Sequence, residues 1–361
     1  MSGLTRREFA LAAAATGLAA GPAFADDRQP AIIAEGGAAE ERIEDTRPAL
    51  DLAINQGCDF IQVNLVPTKE GSLVARRDCE LSASTDVATR PEFADRKTTK
   101  TIDGAPVTGW FAEDFSLAEL QTLFCREARP ELRPQNVRLG GKEPILTLPQ
   151  VLQIARDGCI RTGRTVGVCA RPMRVGYFEN QGVDVVGRLA NELSSEGYVA
   201  SAAAVWMQAS EPEALRSFGA LSPVRRMLIL EAGASDIGQM TTAAGLGDIR
   251  GYAEAIGADQ DLLIDPDAAT FPAPTTLALD AHAAGLKVFS RTARGENAFL
   301  PQALRQGDQR SRSFPAERGD VGKLLVALFA DRLDGVATDL PQDAGRARGA
   351  VMEALRRARR A

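Results

Sequence analysis

The 361-residue sequence contains one histidine, His282, and few aromatic residues, which make up 5% of the chain. A single histidine excludes a zinc site built from several histidines. Histidine is also the side chain that most often transfers protons near neutral pH. His282 lies in the helical pattern TTLALDAHAAG, where a packed or solvated helix position is the simplest interpretation. The residues themselves therefore do not predict catalysis by histidine.

Other familiar patterns are missing as well. The sequence has no low-complexity segment, no Cys-x-x-Cys pair and no Gly-x-Gly-x-x-Gly turn of the kind that marks a dinucleotide-binding crevice. Its net charge of -6 argues against nucleic acid as a partner. The cysteines are odd in number, so at least one cannot pair within the chain, and spacing leaves the pairing of the others open; they are Cys58, Cys79, Cys125, Cys159 and Cys169.

The N-terminus has the pattern of a targeting segment. The residues TRREF at positions 5–9 precede an apolar run from Ala10 to Ala20, and AFA at 23–25 has the form of a cleavage site. The apolar run is too short to span a bilayer, so no stable membrane anchor is expected. We predict a twin-arginine signal over residues 1–25, export of the folded chain to the bacterial periplasm, and a mature chain of 26–361.

The mature sequence alternates short apolar, β-branched runs with longer helical patterns, which is typical of a parallel sheet with crossover helices. Eight such units predict an α/β fold, a closed (β/α)8 TIM barrel, with an open doubly wound sheet as the alternative. Capping boxes are expected at Ser116–Glu119 and Thr147–Gln150. The candidate strands are AIIAEG, DFIQVNLV, TVGVCAR, AAAVWMQ, RRMLIL, DLLIDP, KVFSRT and DGVATD.

Two long connections interrupt this regularity. After the second strand, TKEGSLVARRD predicts a turn and a short extra strand, and a small insertion follows at about 79–140. An insertion at this point would lie over the carboxyl ends of the strands, where barrel enzymes keep their active sites. The second connection, from Arg291 to Phe314, follows the seventh strand and is a candidate lid.

Polar side chains occupy the predicted strand ends. Amides and arginines suit oxyanions, whereas a hard cation needs several carboxylates and is repelled by an arginine. The alternative is a structural cluster in which Arg77 and Arg171 neutralise nearby carboxylates. Glu35 lies at the first of these strand ends, and the candidate binding residues are Glu44, Gln62, Asn64, Arg77, Asp78, Arg171 and Gln208.

Several stretches resemble the glycerophosphodiester phosphodiesterase family over nearly the whole mature chain. They include IIAEGGA, IEDT, DFIQVNLVPTKEGSLVARRD, TGWFAEDFSLAELQTL, PILTLPQVL, HAAGLKV and DGVATDLP. The resemblance implies a (β/α)8 hydrolase that splits glycerophosphodiesters into glycerol 3-phosphate and an alcohol. It also implies a Ca2+ or Mg2+ ion and a pair of catalytic histidines.

The departures from the family pattern fall at its catalytic positions. Glu35 and Arg77 stand where the family has its two histidines, and Gly36 stands where it has a phosphate-binding arginine. The family metal ligands fall on Gln62, Asn64 and Arg171, and a nearby lysine falls on Met173. These changes predict a divergent member with no metal cofactor.

The expected function is that of a pseudoenzyme whose barrel mouth binds an anion or phosphodiester, such as a glycerophosphodiester or glycerol phosphate. One alternative is an active hydrolase with an altered site, in which Glu35 acts as a general acid beside the arginines. Another is an interaction protein that uses the insertion, including Trp110 and Phe111, or the 291–314 connection. Ligand identity, oligomeric state and protein partner stay open.

Overall fold

The computed structural model describes residues 29–266 and 271–360, so the predicted signal at 1–25 lies outside the described residues. The described strands are β1 (Ala31–Glu35), β2 (Phe60–Pro67), β3 (Leu73–Ala75), β4 (Thr98–Ile102), β5 (Ala105–Gly109), β6 (Gly167–Pro172), β7 (Val205–Ala209), β8 (Arg225–Leu230), β9 (Ala255–Asp259), β10 (Lys287–Ala293) and β11 (Gly335–Thr338).

The described α-helices follow the same chain order. They are α1 (Arg47–Asn55), α2 (Leu117–Leu120), α3 (Pro134–Val137), α4 (Leu148–Thr162), α5 (Val175–Asn180), α6 (Val185–Ser195), α7 (Pro212–Leu221), α8 (Ile237–Met240), α9 (Ala243–Arg250), α10 (Gln260–Leu263), α11 (Leu277–Ala283), α12 (Val321–Ala330) and α13 (Pro341–Arg360). Short 3-10 helices lie at Val87–Thr89, Pro91–Arg96, Ala112–Asp114, Asn297–Phe299, Gln302–Leu304 and Phe314–Ala316.

Eight parallel strands close into a barrel, which confirms the predicted (β/α)8 fold. The sheet order is β1-β11-β10-β9-β8-β7-β6-β2-β3, and an additional pairing of β1 with β2 completes the ring. The ninth strand, β3, is the short extra strand expected from TKEGSLVARRD, and it pairs antiparallel with β2. Strands β4 and β5 form a separate antiparallel hairpin within the insertion.

One predicted strand is wrong. The segment DLLIDP begins in helix α10, and the sixth barrel strand is instead the preceding AIGAD of β9. Strand β9 pairs in parallel with β10, from Ala255 opposite Lys287 to Asp259 opposite Arg291. Apart from Ile256 its side chains are small or acidic, so it has too few of the bulky β-branched residues that signal a strand.

Local signals explain where the helices begin and end. Ser116 with Glu119, and Thr147 with Gln150, form the two predicted capping boxes, which open α2 and α4. Helix α4 ends at Gly163, whose φ of 66° lies in the left-handed region that glycine adopts readily. Helix α12 has an almost wholly apolar sequence, and its buried residues include Leu324, Leu325 and Leu328.

The chain divides into two compact units. In the described residues, one unit consists of 29–33, 56–58 and 230–360 without 267–270, and the other consists of 34–55 and 59–229.

All five cysteines are thiols. Among the helices within 29–266 and 271–360, none combines the length and apolar composition needed to cross a membrane.

Candidate functional site at the barrel mouth

The loop after β1 turns back sharply on two glycines. Gly36 and Gly37 have φ angles of 67° and 85°, and a Cβ at position 37 would lie 2.5 Å from the backbone of Ala49. A Cβ at position 36 would lie 2.9 Å from the Cβ of Glu44. A side chain at either position would therefore be strained. The turn brings Glu44 close to the end of the strand that carries Glu35.

Glu44 and Arg77 form a two-bonded ion pair. Arg77 Nε donates to Glu44 Oε1 at 2.7 Å, and Arg77 Nη2 donates to Oε2 at 2.7 Å. Burial alone would raise the pKa of Glu44, but the charge and hydrogen bonds of Arg77, with the charges of Arg129 and Arg76, lower that pKa to about 2. Glu44 is therefore a carboxylate at neutral pH.

Asp45 has the opposite electrostatic environment. Its side chain is fully buried, and neither carboxyl oxygen has a hydrogen-bond partner among the described residues. Burial, followed by the charge of Glu44, raises the pKa of Asp45 to about 7 although Arg76 and Arg77 act against the shift. The sequence prediction did not include this residue, because adjacent carboxylates give no sign of which one is buried.

Glu35 lies at the end of β1 and is buried. Its charge raises the pKa values of both Arg77 and Asp45, so its carboxylate belongs to the same electrostatic cluster. The two predicted catalytic positions, Glu35 and Arg77, are thus electrostatically linked. Arg77 itself engages Glu44 through hydrogen bonds.

The amide side chains and Arg171 lie on neighbouring strands. Asn64 of β2 is opposite Arg171 of β6, and Gln62 is opposite Cys169. Gln62, Asn64 and Arg171 are only 4%, 5% and 6% exposed. Within the described chain, the side chains of Gln62 and Asn64 make no hydrogen bond to another residue. These amides can therefore donate to a ligand without breaking an existing bond.

Two further polar groups belong to this part of the barrel. Arg171 Nη2 donates to the Ser210 hydroxyl at 2.9 Å, just beyond the end of β7. Gln208 of β7 is buried and its Nε2 lies 3.4 Å from Met227 Sδ, whereas its Oε1 has no partner among the described residues. Ser210 was not predicted as a site residue.

Asp78 pairs with a residue that the sequence did not single out. Arg174 donates through Nε to Asp78 Oδ1 at 3.2 Å and through Nη2 to Oδ2 at 2.7 Å. Burial would raise the pKa of Asp78, but the hydrogen bonds and charge of Arg174 lower it. Arg174 also contacts Asp103 of the insertion. Asp78 is therefore neutralised by Arg174, and not by Arg77 or Arg171 as the structural-cluster alternative expected.

The donor set does not fit the divalent cation that the family implies. At the corresponding positions Gln62 and Asn64 are neutral amides, and the third position is Arg171, whose backbone pairs with that of Asn64 on the neighbouring strand. Calcium and magnesium prefer carboxylate oxygens, and a guanidinium at the same place would repel them. The described residues also contain no group of three acidic, histidine or cysteine side chains arranged to hold a metal ion.

The insertion is attached to the loop that carries Glu44. Buried Arg133 donates to the carbonyl of Ala39 at 2.7 Å, and Asn136 Nδ2 lies within 3.4 Å of the carbonyls of Ala39, Glu40 and Arg42. The insertion thus satisfies backbone groups of the β1–α1 loop. Its aromatic pair, Trp110 and Phe111, is buried.

The connection after β10 is braced internally. Buried Asn297 donates to the carbonyls of Gln306 and Phe314 at 2.7 Å and 2.9 Å. This segment lines a polar pocket of about 470 Å³. In this pocket Arg291 approaches two carboxylates, those of Glu231 and Asp259.

Comparisons with known proteins agree with this architecture. The sequence model of the glycerophosphoryl diester phosphodiesterase family matches residues 36–339. Glycerophosphodiester phosphodiesterase GDPD6 of Arabidopsis thaliana is 31% identical over 293 residues, which cover 75% of this chain and 76% of the plant protein.

Two solved structures share the fold. A putative glycerophosphoryl diester phosphodiesterase from Silicibacter pomeroyi has a TM-score of 0.62 at 13% identity, covering 90% of this chain and 94% of the other. An Oleispira antarctica phosphodiesterase in complex with the product sn-glycerol-3-phosphate has a TM-score of 0.55 at 18% identity, covering 88% and 96%. On the match of the family model and the plant relative, this chain belongs to the glycerophosphoryl diester phosphodiesterase family.

Proposed function

We propose that this chain is a non-catalytic family member, exported to the periplasm, whose barrel mouth binds a phosphodiester or glycerol phosphate without a metal ion. The observation that carries the proposal is that buried Arg171, in register with buried Asn64 on the neighbouring strand, stands at a position where the family implies a metal ligand. Arginine recognises phosphate oxygens through charge-assisted hydrogen bonds. A fixed positive charge there takes the place of a bound cation.

The neighbouring groups support binding more than bond cleavage. Gln62, Asn64 and Gln208 add neutral amides that can bond to phosphate or hydroxyl oxygens. The phosphate-binding arginine implied by the family would have to stand at Gly36, where a side chain meets Glu44 and a left-handed backbone. Neither family histidine is present. These differences remove the groups on which acid–base and metal-assisted hydrolysis depend.

Ligand binding is tested by calorimetry and thermal unfolding of the mature chain with glycerophosphocholine, glycerol 3-phosphate or inorganic phosphate, each with EDTA and with Ca2+. We expect at least one of these ligands to bind and raise the melting temperature in EDTA. Arg171→Gln should weaken that binding roughly tenfold or more, because a hydrogen bond to a charged group is worth about 1.5–3 kcal/mol. Arg216→Gln, on the exposed side of α7, is the matched control.

Release of glycerol 3-phosphate from glycerophosphocholine separates binding from catalysis. We expect no turnover with Ca2+, Mg2+ or chelator. Metal-dependent turnover would show that other groups have rebuilt a cation site and would overturn the proposal. Turnover that persists in chelator and is lost in Glu35→Gln would favour the metal-free hydrolase. Failure of all three ligands to bind would refute the anion site.

A further inference from the structure

The β4–β5 hairpin has little apolar packing of its own. Its strands pair antiparallel from Thr98 opposite Gly109 to Ile102 opposite Ala105, and it belongs to no larger sheet. Of its ten strand residues, only Ile102 and Gly109 are buried. A single two-stranded hairpin is marginally stable in water. Its position therefore depends on contacts with the rest of its unit.

One contact is made by Arg174 at the hairpin tip. The turn residues Asp103 and Gly104 both have positive φ angles, 48° and 81°, as a tight two-residue hairpin turn requires. Asp103 Oδ2 accepts from Arg174 Nη1, while the other donors of Arg174 bind Asp78. We call Arg174 with Asp78 and Asp103 the Arg174 clasp.

A second contact lies further down the hairpin. Lys100 of β4 donates to Glu113 Oε1 at 2.9 Å and to Asp114 Oδ1 at 2.8 Å. The Tyr177 hydroxyl donates to the same Glu113 Oε1 at 2.6 Å. Arg174 and Tyr177 lie three residues apart at the start of α5, so one helical turn contacts both parts of the hairpin attachment.

The same segments carry the proposed ligand site. Asp78 directly follows Arg77, and Arg174 lies three residues after Arg171, where β6 has just ended. The clasp therefore joins the two chain segments at the rim of the mouth to the hairpin tip. A change in the position of the hairpin acts on both segments.

Arg174 holds this place in an unfavourable backbone conformation. Its φ is 55°, in the left-handed region that residues other than glycine, asparagine and aspartate seldom occupy. Residues kept in such conformations cluster at ligand clamps and switch regions. Arg174 combines this backbone conformation with a side chain that binds two carboxylates from different segments, those of Asp78 and Asp103.

We propose that Arg174 is a positioning residue that fastens the β4–β5 hairpin to the rim of the mouth, and that release of the Arg174 clasp lets the hairpin open for ligand exchange. The gating part of the inference rests on the proposed function, whereas the fastening part does not. The clasp is suited to release because its side chains are partly exposed, up to 62% for Asp103. Exposed ion pairs are weak and are screened by salt.

Fastening is tested by hydrogen exchange of residues 98–109 in the mature chain at low and high salt. Asp103→Asn and Arg174→Lys should each speed exchange of the hairpin amides roughly two- to fivefold at low salt. High salt should speed exchange in the unmodified chain and have little effect in Asp103→Asn. The control Asp51→Asn breaks another exposed pair of this unit, with Arg161, and should leave the hairpin unchanged. Unchanged exchange in both clasp variants would overturn the inference.

Gating is tested by the rates at which glycerophosphocholine associates and dissociates. Asp103→Asn should raise both rates roughly two- to fivefold and leave Kd nearly unchanged. If the unmodified chain does not bind this probe or the other two phosphates, the proposed function fails, and the exchange measurement alone decides the fastening role. If the chain binds but the rates in Asp103→Asn are unchanged, the gating role fails while the proposed function stands.

Discussion

Two consecutive residues, Arg77 and Asp78, form arginine–carboxylate pairs with different environments. In the pair of Arg77 with Glu44, the carboxylate side chain is 9% exposed, whereas in the pair of Asp78 with Arg174 it is 35% exposed. Both pairs have two hydrogen bonds, so geometry alone does not distinguish them. The arginine side chains are similarly exposed, 32% for Arg77 and 30% for Arg174, so the pairs differ in the burial of the carboxylate, and water and salt screen Asp78 more than Glu44.

Because their carboxylates differ in burial, the two pairs have different structural roles. Removing one partner of a buried pair leaves an uncompensated charge in the protein interior, so the pair of Glu44 with Arg77 holds the β1–α1 loop in one arrangement. The more exposed pair can exchange its partners for water at little free-energy cost. We call the β1–α1 loop with the pair of Glu44 and Arg77 the fixed wall of the mouth, and the Arg174 clasp its rim, which we propose to be releasable.

The largest expected effect follows from breaking the buried pair. Arg77→Met should lower the free energy of unfolding at pH 7 by up to about 3–5 kcal/mol, because buried Glu44 then loses both hydrogen bonds and keeps only the more distant charges of Arg129 and Arg76. Urea unfolding measures this change. A decrease in the free energy of unfolding below about 1 kcal/mol would mean that this pair is no stronger than an ordinary surface pair.

The pH dependence of the same pair has a definite sign. The pKa of Glu44 is about 2 in the folded chain and 4.5 as the reference value, so its stabilisation is present above pH 4.5 and is lost as the pH falls towards 2. Glu44→Gln should flatten the stability profile in that window. An unaltered slope between pH 5 and 2 would contradict the assignment.

A somewhat smaller change in the free energy of unfolding is expected at Asp45. Its contribution to stability falls as the pH rises, which is opposite to that of Glu44. Its pKa is about 7 in the folded chain and 3.8 as the reference value. Its neutral form therefore stabilises the fold below pH 3.8, and this contribution is lost as the pH rises to 7. Asp45→Asn should raise the free energy of unfolding at pH 8 by roughly 2–4 kcal/mol and have little effect at pH 4. A destabilised variant at pH 8 would mean that the charged carboxylate has a partner.

The smallest change in the free energy of unfolding is expected in the Arg174 clasp, at Asp103, its most exposed side chain. Asp103→Asn should change the free energy of unfolding by less than about 1 kcal/mol, and the difference should shrink in 1 M salt. Denaturant titrations at two salt concentrations measure both quantities. A loss as large as that of Arg77→Met would show that the rim is as rigid as the wall.

Local sequence signals predicted much of the scaffold. Thr147 with Gln150 marked the start of α4 because the capping box is a contact between residues three apart. The prediction of a strand at DLLIDP was wrong because an apolar run does not distinguish a helical turn from a strand. The actual strand, AIGAD, has mostly small side chains and gives a weak signal.

Contacts between distant residues were harder to foresee. The Asp103–Gly104 dipeptide is a hairpin signal that could have located the β4–β5 turn, but nothing local connects it to Arg174. Adjacent Glu44 and Asp45 have similar chemistry in the sequence, and only the fold gives Glu44 an arginine and buries Asp45 without a hydrogen-bond partner in the part of the chain that the structure describes. Arg174 lies 71 residues from Asp103 and 96 residues from Asp78, and only the topology of the fold brings residues so far apart into contact.

The bonds from Asn136 to the β1–α1 loop have a consequence for how the chain matures. Its partners, the carbonyls of Ala39, Glu40 and Arg42, precede it by 97, 96 and 94 residues. During synthesis from the N-terminus, this loop is made early but cannot complete its hydrogen bonds until the insertion has left the ribosome. The loop therefore depends on a segment made 94 to 97 residues later, and the insertion fastens it whatever chemistry the mouth performs.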